Sequence, residues 1–146
     1  MRHLPTAARY LLGLIFFVFG LNFFLHFIPM PTSTPAPAAA FGGAMMATGY
    51  LFLLLKITEV TSGVLLLANR FVPLALTLLA PVIVNIFCFH LFLEGPATLP
   101  LPIVILALEI YLAYSYRAVY LPMLQPKVSP TVASETAEKS AKHVHA

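Results

Sequence analysis

The sequence predicts an all-α integral membrane protein, a bundle of four spanning helices with both termini in the cytoplasm. Four apolar stretches, at 7–28, 44–68, 71–93 and 99–120, fill most of the 146 residues. Each is near the ~20 residues needed to cross a hydrocarbon core of ~30 Å. The chain is 60% hydrophobic and 9% charged, and its first and third stretches are apolar nearly all round, unlike the helices of a water-soluble core. Its bases fall on one side. Arg2 and Arg9 stand at the start of the first stretch, Arg70 follows the second, and Arg117 and Lys127 close the fourth. The opposite loops carry no Lys or Arg, so the positive-inside rule puts both termini and the middle turn in the cytoplasm. A membrane barrel would need many shorter, alternating segments.

Each element has its own signals. The run from Leu11 to Ile28 is longer than a secretory signal core. Although small residues at 36–40 resemble a cleavage site, the first helix is expected to remain and complete the bundle. Loop 29–43 holds Pro29, Pro31, Pro35 and Pro37, which rules out helix throughout. Its low polarity fits a loop resting on the outer face, as a lid or as a stiff connector. In the second span Gly49, Phe52, Lys56, Glu59 and Gly63 fall on one helical stripe, and the glycines at its ends would admit a close neighbour. Pro73 sits in the first turn of the third helix, where its missing N–H does no harm, and Pro81 falls mid-span. Gly95-Pro96, Pro100 and Pro102 frame the second outer turn. Tyr111, Tyr114, Tyr116 and Tyr120 read as an interfacial belt. Residues 121–146 are expected to form a disordered cytoplasmic tail, since composition turns to Pro, Ser, Thr, Ala and Lys from Pro126 onward. His143 and His145 in that tail are a weak metal signal, and no metal site is expected.

Several functions are excluded. The net charge of +3 is spread over membrane edges and tail, without the basic stripe that nucleic acid requires. The single Cys88 cannot form an intrachain disulfide or a dithiol centre, and it reads as a packing residue. Nucleophile-elbow, zinc-protease, P-loop and dinucleotide motifs are missing, and the chain is short for a transporter of inverted repeats.

Chemistry is therefore sought in the polar groups within the spans. A charge near the bilayer centre costs about 3 kcal/mol on insertion scales, and such residues pair or line a ligand or proton path. At about 1.5 Å per residue, Lys56 and Glu109 fall near the midplane, which makes them an expected pair. Glu59 lies a turn toward the cytoplasm, Asn22 and Asn85 a turn outward, and His26 and His90 near the outer interface. Asn22 and His26 share a helix face, whereas Asn85 and His90 diverge by about 140° on an ideal helix. One reading makes the charges a structural ion-pair network with the asparagines as interhelical glue. Against it, one Lys and two Glu leave an excess negative charge, so a proton or a cationic group is needed to complete a functional polar cavity. The two histidines admit three readings: interfacial residues, a quinone-headgroup site, or bis-histidine haem ligation.

The residues also resemble a known family. Gly13-Leu14-Ile15-Phe16 and Gly20-Leu21-Asn22-Phe23-Phe24 are similar to the opening of the DoxX-like membrane proteins. So are Gly49-Tyr50, Lys56, Glu59, the run Gly63-Val64-Leu65-Leu66-Leu67 and Arg70-Phe71-Val72-Pro73-Leu74-Ala75-Leu76. Ala80-Pro81-Val82-Ile83-Val84-Asn85-Ile86 and His90 extend the likeness, which covers the four spans and leaves out the tail. The resemblance implies a four-helix bundle. Some members are subunits of membrane oxidoreductases, including a quinone-reducing enzyme that oxidises thiosulfate, and others work with redox-stress partners in the envelope. Lys56, Glu59, Asn85 and His90 are carried over as the polar core, without a catalytic role. With no cysteine pair, dithiol chemistry would have to come from a partner.

The leading expectation is a small multi-pass protein of the inner (plasma) membrane, a redox-linked subunit binding a quinone or another lipophilic molecule. Lys56 pairs with Glu109, Glu59 carries or gates a proton, and Asn22, His26, Asn85 and His90 orient the ligand's polar end. Partners are the lipid bilayer and a redox protein or further copies of the chain. The alternatives are a non-catalytic scaffold or assembly factor, whose charges are structural, and a small-molecule carrier.

Overall fold

The computed structural model describes residues 3–29 and 34–127. The described residues are helical, with no strand among them. Helix α1 (Leu4–Leu25) carries a proline in its first turn and ends at His26, which turns left-handed at φ 53°. Asn22 holds that ending in place. Its amide accepts the Ile28 N–H at 2.6 Å and donates to the Ile28 carbonyl at 3.2 Å.

The second apolar stretch is not one straight span. Helix α2 (Ala36–Ala47) lies at 93° to α3 (Leu51–Leu67) across a three-residue turn. Gly49 in that turn has φ 75°, a conformation that L side chains disfavour. The Thr48 hydroxyl accepts the Leu51 N–H at 3.1 Å and donates to the Met45 carbonyl at 2.7 Å. The turn chemistry outweighs the continuous hydropathy. Part of the proline-rich loop is thus helical, its prolines falling before and in the first turn of α2.

Helix α4 (Val72–Phe89) runs on through Pro81 and widens into a π turn at His90–Glu94, where the Gly95 N–H reaches the His90 carbonyl at 2.9 Å. The fourth stretch is also broken. Helix α5 (Pro100–Ser115) bends by 70° at Tyr116 into the short α6 (Arg117–Tyr120) and a 3-10 turn at Leu121–Leu124. The turn takes up the start of the expected tail; the remainder of that expectation, residues 128–146, lies outside the described residues.

The four long helices pack in the cyclic order α1, α3, α4, α5, with α5 returning to α1. Among the described residues two helical segments, α1 and the continuous Val72–Glu94, are long and apolar enough to cross a membrane; the bent pairs raise the number to four if each is one span. Leucines such as Leu12, Leu66, Leu76 and Leu79 fill the centre. The outside stays apolar, with Leu54 57% and Ile110 61% exposed, which suits lipid rather than water as the solvent.

The closest packing is between α1 and α3. A Cβ on Gly63 would lie 2.7 Å from the Phe17 nitrogen, and one on Gly20 would lie 2.8 Å from Val60 Cγ2. In lipid, helix association rests on such close contact, because the hydrophobic effect no longer distinguishes helix from solvent. Gly63 fulfils the role expected of it; Gly49 sits in the turn with open space around it and closes no seam. Arg9 adds a polar tie. Only 4% exposed, it donates to the Leu66 carbonyl and reaches the Leu67 carbonyl at 3.5 Å. Its charge caps the C-terminal end of α3, where the helix dipole is negative.

Candidate intramembrane binding site

Beside the α1–α3 seam the helices part around a cavity of about 450 Å³, within the 300–1,000 Å³ typical of small-molecule sites. Its walls are mainly apolar: Phe16 and Phe19 from α1, Phe52 from α3, Ile86 and Phe89 from α4, and Ile105 from α5. The right-angled turn lays α2 across it, with Phe41, Gly42 and Met45 on the cavity lining. Phe41 meets Phe89 at 5.7 Å between ring centroids, so part of the region expected as a lid or a stiff connector lines the site as a short helix.

Two acid–base pairs interrupt the apolar wall. Lys56 Nζ donates to Glu59 Oε2 at 2.8 Å across one turn of α3, the reach expected of i,i+3 neighbours. Both line the cavity, and Glu59 is 2% exposed. The ammonium also lies 5.5 Å from the centroid of the Phe52 ring. At the end of α4 His90 Nε2 stands 3.5 Å from Glu94 Oε2, and His90 Nδ1 lies 2.7 Å from the Ile86 carbonyl. A carbonyl only accepts, so Nδ1 carries the hydrogen. Nε2 is left to accept a proton from a ligand, or to share one with Glu94.

The expected site residues divide into three groups. Lys56, Glu59, Asn85 and His90 line the cavity. Asn85 and His90 reach it together because the cavity takes in a wide arc of α4, with Val82, Ile86 and Phe89 filling the angle between them. Asn22 and His26 are elsewhere: Asn22 closes the end of α1 on Ile28, and His26 is the exposed residue that ends that helix. The His26–His90 pair needed for bis-histidine haem ligation therefore does not share the cavity. Glu109 is also elsewhere, in a groove with Thr77 and Tyr120.

The expected Lys56–Glu109 pair is replaced by Lys56–Glu59. Depth along the membrane normal was the basis for that expectation, and depth says nothing of which way a residue faces. A carboxylate one turn away on the same helix is the nearer partner. Two residues were missed. Glu94, assigned to an outer loop, is brought to the cavity by the π turn, and its i,i+4 spacing from His90 was the available signal. Arg9, read only as a topology marker, is buried between helices.

Among the described residues no group of three or more His, Cys, Asp or Glu side chains is set to hold a metal ion. Comparison of the chain with protein-family models, curated proteins and solved structures finds no match. The functional reading therefore rests on the site. A mainly apolar cavity lined by an ammonium, an imidazole and carboxylates suits a lipophilic molecule whose polar head accepts hydrogen bonds and exchanges protons.

Proposed function

We propose that this protein is a small multi-pass plasma-membrane protein of the DoxX-like kind, and that it binds a quinone in the cavity as a redox-linked subunit. In this reading the chain is a four-helix bundle with both termini in the cytoplasm, and each bent helix pair contributes one crossing, made by its longer helix. The observation that carries the reading is the pairing of Lys56–Glu59 with His90–Glu94 on an otherwise apolar cavity wall. Lys56 Nζ donates to one carbonyl oxygen of the ring, and the face bearing His90 and Asn85 receives the other. Reduction to the quinol takes two electrons and two protons. The electrons come from a redox centre on a partner protein, and the protons pass through Glu59 and the His90–Glu94 pair.

The alternative of a scaffold held together by its charges has less support. The Lys56–Glu59 bridge lies within one helix and so fixes no interhelical register. The test is purification in mild detergent, followed by an optical spectrum and mass spectrometry of co-purifying small molecules. A bound quinone that is lost in both Lys56→Met and His90→Ala is the expected result. If neither the pure protein nor its native complex holds or reduces a quinone, the redox reading is abandoned.

A further inference from the structure

Glu109 lies apart from the cavity, and its surroundings point to a second function. It is 6% exposed, and its Oε2 has no hydrogen-bond partner among the described residues. With Leu76, Thr77, Ala80, Ala113 and Tyr120 it lines a groove of about 240 Å³ between α4 and the α5–α6 elbow. The groove is short of donors. The hydroxyls of Thr77 and Tyr120 both donate to the Pro73 carbonyl, each at 2.8 Å. Pro81 lies inside α4 and offers no N–H to the Thr77 carbonyl one turn before it. The unpartnered carboxyl oxygen thus lies on a groove whose two hydroxyls are already engaged.

Among the described residues no cation pairs with Glu109, and Arg70, on the turn leading into α4, is exposed. On α1 the Arg9 guanidinium is engaged with the Leu66 and Leu67 carbonyls and lies over the Tyr10 ring. On α6 Arg117 donates to the Tyr114 carbonyl and stacks on the Tyr114 ring. Helix α4 brings Cys88, on the far side of Pro81, and then His90, which faces Glu94. The ion pairs among the described residues are Lys56–Glu59 and His90–Glu94, and neither involves Glu109. What such a site lacks is the smallest cation. A proton on Oε2 turns an acceptor into a donor and removes an unpaired charge from apolar surroundings.

We propose that Glu109 is a proton-binding site in the α4–α5 groove, separate from the large cavity and opening beside the exposed Thr77. The full-length protein, reconstituted in phosphatidylcholine vesicles, is treated at pH 7 with dicyclohexylcarbodiimide, a lipophilic reagent. It takes the proton of a carboxylic acid on nitrogen while the carboxylate oxygen adds to its central carbon. Peptide mass spectrometry should locate the adduct at Glu109, at least tenfold more than at Glu59, and the adduct should vanish in Glu109→Gln. Labelling should fall about tenfold per pH unit once titration is passed. Infrared spectroscopy should show a protonated-carboxyl band that Glu109→Gln removes. An unlabelled Glu109 in the folded wild type overturns the proposal. So does labelling that Na⁺ suppresses at constant pH, because the site would then hold a metal cation.

Discussion

Arg9 and Lys56 are both cations within the apolar body of the protein, and they are held in opposite ways. Arg9 crosses from α1 to the carbonyl end of α3, so its partners are backbone atoms of another helix. Lys56 turns to Glu59 on its own helix and faces a cavity. The first arrangement joins two helices at their closest seam. The second joins nothing and leaves a polar patch inside an apolar wall. The difference shows why a buried charge does not reveal its purpose by depth alone. What decides is whether its partner belongs to a neighbouring helix or to the same one.

This contrast can be broken by mutation. The largest effect is expected from Lys56→Met, which strands Glu59 as a buried charge and should cost about 3–5 kcal/mol. Adding Glu59→Leu should restore stability close to wild type while leaving quinone binding absent. Denaturation in detergent together with ligand titration separates the two effects. If the double variant stays as unstable as the single one, the pair has a structural role after all and the contrast fails. Gly63→Val, at the seam, should cost about 3 kcal/mol through overpacking, because its nearest neighbours are the backbone of α1. Folded yield and thermal unfolding would report it.

Smaller effects sharpen the comparison. Arg9→Met should cost about 2 kcal/mol by removing a charge-assisted hydrogen bond between α1 and α3. No second-site deletion can rescue it, because its partners are backbone; Arg9→Lys should recover part of the loss. A full rescue by a side-chain change elsewhere would show that Arg9 serves another group. Gly49→Ala should be the mildest, about 1 kcal/mol for a left-handed non-glycine residue. Its signature should be altered ligand release as the α2 turn shifts, measured by stopped-flow, with the seam unaffected.

The apolar stretches, the inward stripe of α3 and the close approach at Gly63 were legible because helical period and residue size act locally. Lys56, Glu59, Asn85 and His90 were legible for the same reason, as polar groups that an apolar helix needs cause to carry. Glu109 does not line the cavity with them. Its height in the membrane can be counted, but its facing depends on how α5 rolls against α4, which one helix does not encode. The break at Thr48-Gly49-Tyr50 was hidden by uniform hydropathy, although Gly49 and the Thr48 hydroxyl supply its chemistry. Asn22 shows the reverse error. Polarity drew attention to it, and the structure spends that polarity on a local turn.

If the cavity binds a ligand as proposed, the right angle between α2 and α3 has a consequence for how that ligand is metered. On the proposed reading α3 crosses the membrane, so α2, at 93° to it, runs along the membrane plane and the space beneath Phe41 and Met45 borders the acyl chains. A molecule arriving there has already left water. The quantity it presents to the cavity is then a mole fraction in the leaflet rather than a molarity in the surrounding fluid. Two compounds with identical contacts inside the cavity would thus show different apparent affinities, in the ratio of their partition coefficients.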